Sequence, residues 1–327
     1  MKSAKIVGLG KYLPPKRLLN SDLERMVDTS DEWIAARTGI KERRIVEKGV
    51  AASDLAHKAS EIALERAGIS PKDLDLIIVA TITPDTQFPS TACYLQDYLK
   101  AQKAACFDIS AACAGFVYGL VTAWQFIKGG LYQNALVVGS EVLSSVTDWS
   151  DRSTCVLFGD GAGAAVLTGC QESGFLSAYL GGDGSQTDIL NIPGGGSRNP
   201  ISPEVADQKL HYIKMKGNEL FRIAVRLMVK AASKALDKAG LKQNDIDLII
   251  PHQANDRIIT AVSKRLGLSQ DKIYKNIVRY GNMSSASSAV ALCEAWEEGK
   301  IKENDIVLLD AFGAGLVWGS CVIKWVK

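Results

Sequence analysis

No apolar run in this chain of 327 residues approaches the length of a membrane-spanning helix. Its opening residues, Met1-Lys2-Ser3-Ala4-Lys5-Ile6-Val7, reach Gly8 too soon to form the apolar core of a signal peptide. There is no CxxC pair. The seven cysteines, at 93, 106, 113, 155, 170, 293 and 321, are odd in number, and several lie in apolar stretches. That argues against a disulfide framework or a zinc site, so no metal is expected, and it points to the reducing cytoplasm. Neither sign of charge dominates. A net charge of +2 implies neither nucleic acid nor membrane as a partner, so an acidic partner has to be met by a local patch. Low-complexity segments are absent, and histidine is scarce, with three in all. What is present is an ordinary globular composition, 47% hydrophobic and 23% charged, in a chain long enough for two domains or one duplicated one.

The duplication is visible. Ala63-Leu64-Glu65-Arg66-Ala67-Gly68 followed by Asp73-Leu74-Asp75-Leu76-Ile77-Ile78 returns as Ala235-Leu236-Asp237-Lys238-Ala239-Gly240 followed by Asp245-Ile246-Asp247-Leu248-Ile249-Ile250, at an offset of about 172 residues. The same offset carries Ala123-Trp124 onto Ala295-Trp296. Two homologous halves follow, 1–172 and 173–327. Within the first, the patterns predict helix 53–67, strand 74–81, helix 90–99, strand 104–109, helix 114–128 and strand 134–140, an alternation that implies a mostly parallel sheet covered by helices. Stretches 161–167 and 315–323 read as closing strands, 141–160 as an excursion of the first half only, and 191–200 as a loop. Gly159-Asp160-Gly161 lacks the spacing and the lysine of a phosphate loop and reads as a structural turn.

Three positions carry chemistry. Cys113 stands where strand 104–109 turns sharply, through small residues, into a helix that is apolar almost all round. Unpaired N–H groups and the dipole at that helix end favour negative charge, so the expectation is a thiol made more nucleophilic. An inert core cysteine is the competing reading. His252 ends the strand Leu248-Ile249-Ile250-Pro251, at the end of a sheet where sites form. His57 reads as a surface residue, and His211 is uninformative. Asn282, in Gly281-Asn282-Met283-Ser284-Ser285, is turn chemistry by itself. The offset changes its weight: it lays Asn282 and Ser285 over Ser110 and Cys113, and His252 over Ala80. A pseudo-two-fold pairing of the halves then brings Cys113, His252 and Asn282 to one face.

The segments Ser110-Ala111-Ala112-Cys113-Ala114-Gly115-Phe116, Pro251-His252-Gln253-Ala254-Asn255, Tyr280-Gly281-Asn282-Met283-Ser284-Ser285-Ala286-Ser287 and Ala311-Phe312-Gly313-Ala314-Gly315 resemble those of the β-ketoacyl-acyl carrier protein synthase III family, in order and nearly end to end. The resemblance implies an α/β, thiolase-like fold of two duplicated halves in five layers, α-β-α-β-α. It implies a decarboxylative Claisen condensation that initiates fatty acid synthesis, with acetyl-CoA or another short acyl-CoA and malonyl-acyl carrier protein as substrates. Acyl-CoA is a substrate, and no cofactor is implied. Catalysis falls to Cys113, His252 and Asn282, and the acyl oxyanion to the backbone N–H groups of Cys113 and Ala314, where the family often has glycine. Trp33 and Arg152 match positions that sandwich the CoA adenine. Arg37 is expected to meet phosphate, and the Asn255 amide the pantetheine end.

Arg222, Arg257, Lys264 and Arg265 would dock the acidic carrier protein, with Asp256 weakening the patch. Phe88 would reach across a homodimer to close the partner's acyl pocket. A relative of secondary metabolism with another acyl donor or acceptor is the neighbouring reading. A hydroxymethylglutaryl-type synthase would want a carboxylate near the cysteine, and no motif supplies one at a matching position. A Cys-His-Asn hydrolase is disfavoured by the whole-chain duplication.

Overall fold

The computed structural model describes residues 3–171 and 174–326. The expected division between 172 and 173 falls on residues outside those described.

Five strands form the first sheet: β1 (Ser3–Tyr12), β2 (Leu76–Ala80), β3 (Ala105–Ile109), β4 (Asn134–Val142) and β5 (Asp160–Cys170), in the order β1-β5-β4-β2-β3. Four form the second: β6 (Phe175–Gly182), β7 (Leu248–Pro251), β8 (Ile306–Gly313) and β9 (Val317–Lys324), in the order β6-β9-β8-β7. The orders correspond position by position, and so do the directions. β1 with β5 and β5 with β4 are antiparallel, as are β6 with β9 and β9 with β8; β4 with β2 and β8 with β7 are parallel. Where the first sheet has β3, the second has only an isolated parallel bridge from Ile249 to Ile273. The chain there turns into the short helix Ile277–Tyr280, which leads to Asn282.

Seven helices matter for the site: α1 (Asp31–Thr38), α2 (Ala52–Ala67), α3 (Thr91–Leu99), α4 (Gly115–Lys128), α5 (Gly217–Ala239), α6 (Asp256–Leu266) and α7 (Ser285–Glu297). Alternation along the strands sorts them into layers. Leu76 and Ile78 of β2, with Val307 and Leu309 of β8, face a central core shared with Phe116, Leu120, Ala289 and Leu292. Ile77 and Val79 face the opposite way, onto Leu55, Ala59 and Leu95 of α2 and α3. Leu308 and Val322 face Val225, Met228 and Ile259 of α5 and α6. Helices therefore cover both faces of each sheet, which is why the central strands read as continuous apolar runs. The result is the five-layered α-β-α-β-α thiolase-like architecture, with α4 and α7 as the middle layer.

That layer is tightly set. A side chain at Gly139 of β4 would bring its Cβ within 2.7 Å of the Ser285 carbonyl oxygen at the start of α7. Gly139→Ala is therefore expected to destabilise the fold by about 1–3 kcal/mol through overpacking. The check is a lowered denaturation midpoint with an unchanged denaturant slope.

Candidate active site

Cys113 lies in a single 3₁₀ turn, Ala112–Ala114, between β3 and α4. The residue before it, Ala112, has φ of 44°, a left-handed conformation that a residue with a Cβ adopts at a cost of roughly 1–3 kcal/mol. Ser284, before Ser285, has φ of 46°. Those two residues are 172 apart, so each half carries the same strained elbow, with a thiol on one and a hydroxyl on the other. At the second elbow Ser285 Oγ lies 2.7 Å from the carbonyl oxygen of Ala80, the residue matched to His252.

The sequence-derived trio lines one cavity. Cys113, His252 and Asn282, together with Phe312 and Gly313, border a space of about 660 Å³. Gly313 is needed for closeness: a Cβ there would stand 2.7 Å from the Cys113 backbone nitrogen. His252 follows β7 and its N–H donates to the Asp310 carbonyl, while both ring nitrogens are buried and make no hydrogen bond to the described residues. The Asn282 backbone is stitched to the excursion of the first half, donating to the Leu157 carbonyl (2.8 Å) and accepting from the Gly159 N–H (3.0 Å). Its side-chain Oδ1 accepts from the Ser284 N–H at 2.8 Å, which leaves the NH₂ end, a pure donor, for the cavity.

Burial decides the charge states. It pushes the Cys113 thiol up to about 12. The expectation of a thiol activated at rest is thus corrected: desolvation of the anion outweighs the favourable helix end. His252 is driven down to about 3 by burial and is neutral at physiological pH, so one ring nitrogen carries a proton to donate and the other can accept one.

The other expected positions divide. Trp33, Arg37, Arg152, Asn255, Arg222 and Arg257 line the same cavity toward its mouth. The guanidinium carbons of Arg37 and Arg152 lie 4.6 and 4.9 Å from the Trp33 ring centre, so Arg152 contacts the indole directly. The Asn255 amide is engaged at both ends, capping α6 through the Arg257 N–H (2.9 Å) and donating to the Arg37 carbonyl (3.0 Å). Arg222, Arg257, Lys264 and Arg265 are all exposed. Asp256 is paired with Lys275 at 2.8 Å, which offsets its negative charge beside them. Ala314 borders a second, mainly apolar space of about 200 Å³ that also touches Cys113, with Ile82, Leu143, Leu190, Ile192 and Ile213. Phe88 is 86% exposed and lines neither space of its own chain. His57 rests against Tyr98 and His211 against Tyr212, away from the site. The stretch Gly159-Asp160-Gly161, expected as a turn, instead leads into β5, pairing with the end of β4; Asp160 is buried and accepts from Val46 and Ser144, so its role is structural.

Glu141 escaped the sequence reading. It is fully buried close to Cys113, so a carboxyl does stand near the nucleophile. The available signal was an acidic residue closing the apolar run Ala135-Leu136-Val137-Val138. Among the described residues no cluster of histidine, cysteine and acidic side chains suits a metal ion, and no helix is long and apolar enough to cross a membrane.

The duplicated five-layer fold, with a cysteine elbow at the foot of a deep cavity, is that of the thiolase-like condensing enzymes. Residues 107–184 match the family model described as 3-oxoacyl-[acyl-carrier-protein] synthase III, and residues 236–325 match the one for its C terminal part. The chain is 57% identical to the beta-ketoacyl-[acyl-carrier-protein] synthase III of Caldanaerobacter subterraneus subsp. tengcongensis, over 99% of this chain and 98% of that protein. It is 53% identical to that of Clostridioides difficile, over 98% of both. The crystal structure of 3-oxoacyl-[acyl-carrier-protein] synthase III from Aquifex aeolicus superposes with a TM-score of 0.92 at 48% identity, covering 98% of this chain and 100% of that one. This chain belongs to the β-ketoacyl-[acyl-carrier-protein] synthase III family.

The charge states predict a pH response. Alkylation of Cys113 by iodoacetamide, followed by peptide mass spectrometry, should rise about tenfold per pH unit from 7 to 9.5 without levelling, because the thiolate fraction grows that way well below the thiol's pKa. A plateau by pH 8.5 would show an activated thiolate instead.

Proposed function

We propose that the chain initiates fatty acid synthesis by moving a short acyl group from acyl-CoA to Cys113 and condensing it with malonyl-acyl carrier protein. The observation that carries this reading is the gathering of Cys113, His252 and Asn282 at the floor of one cavity with Trp33, Arg37 and Arg152 at its mouth.

The first stage is thioester exchange. The Cys113 sulfur attacks the acyl carbonyl while its proton leaves, with a His252 ring nitrogen in the same cavity as the acceptor. The tetrahedral oxyanion is met by the backbone N–H groups of Cys113 and Ala314, and collapse expels CoA as the thiol. A planar base fits between Trp33 and Arg152 only if Arg152 swings off the indole, which its exposed position permits.

The second stage makes the carbon–carbon bond. Malonyl-carrier protein replaces CoA, its carboxylate leaves as CO₂, and the electron pair passes into an enolate. The neutral His252 N–H and the Asn282 NH₂ donate to the enolate oxygen. Both donors are fixed and lie in a water-poor site, where such interactions count most. The α-carbon then attacks the acyl group on Cys113, the thiolate leaves and takes up a proton from solvent, and 3-oxoacyl-carrier protein departs. Every step uses the chain's own residues and the thioester chemistry of its substrates. The exposed Arg222, Arg257, Lys264 and Arg265 suit an acidic carrier protein. The exposed Phe88, and the edge strand β3 with its partly exposed residues, suit a homodimer in which the partner's Phe88 closes the acyl pocket.

Cys113→Ser should give no mass gain after acyl-CoA treatment. His252→Ala should slow acylation through loss of its proton acceptor but leave some of it measurable, while malonyl decarboxylation falls further, about 100- to 1000-fold, the usual cost of one oxyanion donor. Equal losses of both steps would refute this division of roles. Even with the partner's Phe88 at its end, the apolar space of about 200 Å³ beside the sulfur leaves room for a primer longer or more branched than acetyl. Whole-protein mass spectrometry after incubation with acyl-CoAs of two to six carbons should then show branched or four- to five-carbon groups loading at least as fast as acetyl.

A further inference from the structure

One buried carboxyl takes no part in these steps. Glu141, at the end of β4, has no solvent exposure. Its Oε2 accepts from the Thr81 hydroxyl (3.2 Å), the Ile82 N–H (3.1 Å) and the Thr83 hydroxyl (2.8 Å), all on the segment leaving β2. Its Oε1 lies 2.9 Å from Ser285 Oγ and 3.4 Å from the Ser285 nitrogen, in the other half of the chain. Ser285 has one hydroxyl hydrogen, and Ala80 O at 2.7 Å is an acceptor only, so the hydrogen goes there. A neutral Glu141 completes the chain by donating from Oε1 to Ser285 Oγ. Burial shifts the carboxyl upward, toward that neutral form.

The bracket bears on the site through two residues. The Ser284 side chain does not cap α7, and its backbone is held at φ of 46°. The Ser284 N–H orients the Asn282 amide. A link therefore runs from Glu141 through Ser285 and Ser284 to Asn282. The position 172 residues beyond Glu141 is Gly313, which instead packs against the Cys113 nitrogen. The two halves hold their elbows by different means, and only the second depends on a carboxyl.

We propose that Glu141 is a positioning residue for carbon–carbon bond formation, holding the Ser284–Ser285 elbow so that the Asn282 amide stays aimed at the enolate oxygen. This rests on the assignment of Asn282 made above.

The test measures, on the full-length protein, acylation of Cys113 by acyl-CoA, CO₂ release from malonyl-carrier protein, and thermal melting. Glu141→Ala should slow CO₂ release about 100-fold, as a displacement of about 1 Å can, with acylation changed less than about threefold. Glu141→Gln, which keeps an acceptor toward Thr81–Thr83 and a donor toward Ser285, should recover most of the loss. If the alanine variant does not fold, Ser285→Ala is read instead and should show the same split at about fivefold or more. Equal losses in the two rates, no loss in any folded variant, or a glutamine variant as slow as the alanine one overturns the proposal. Asn282→Ala is the control: if it keeps full CO₂ release, the Asn282 assignment fails, and the role of Glu141 falls with it.

Discussion

The seam where the two halves meet, at the buried starts of α4 and α7, governs the rest of the site. Each helix begins from a strained elbow, and each elbow is pressed against a strand of the duplicated frame. Gly313 lies against the Cys113 nitrogen, and Gly139 lies under the Ser285 carbonyl. Larger residues at these glycines would push the elbows outward, and with them the sulfur and the carboxamide. The strain at Ala112 and Ser284 persists because the packing around both helices over-determines their position.

Duplication also explains how one frame hosts chemistry in only one place. The pair of positions that holds Cys113 and His252 in one arrangement holds Ser285 and Ala80 in its echo, where a hydroxyl simply bonds a carbonyl 2.7 Å away. The frame brings the two positions together in both copies, and the side chains decide whether the meeting is reactive or structural. The excursion 141–160, present in one copy only, adds Arg152 and Phe158 to the cavity and ties down Asn282. Asymmetry in the inserted and substituted residues turns a symmetric scaffold into a single-mouthed site.

The floor of the cavity is neutral at rest and its mouth is cationic. A thiol held near 12, an imidazole held near 3 and a carboxamide place no fixed charge at that floor. In the reaction proposed above, charge would arise there only as the oxyanion and the enolate form, and fixed donors in a low-dielectric setting would then act at full strength. Arg37, Arg152, Arg222 and Arg257 at the rim suit the anionic part of a substrate that stays near solvent. On that reading the gradient suits a long substrate with its charged end outside and its thioester inside.

Periodicity, the 172-residue repeat and the quoted motifs already carried the layered α/β fold, the order of the elements read from them and the choice of Cys113, His252 and Asn282, which line one cavity, because these depend on local pattern and on copies of one pattern. The predicted helices and strands differ from the observed ones by up to three residues at their ends. The missing fifth strand of the second sheet was not legible, since a short helix competes locally for the segment after Ile273. Tertiary structure alone decided the protonation of Cys113, because desolvation depends on everything packed around the sulfur. It alone made Asn255 a helix cap and brought Glu141 to an elbow 144 residues along the chain. Such long-range meetings of buried polar groups leave no periodic trace in a sequence: they exist only once two sheets and two helices have closed around them.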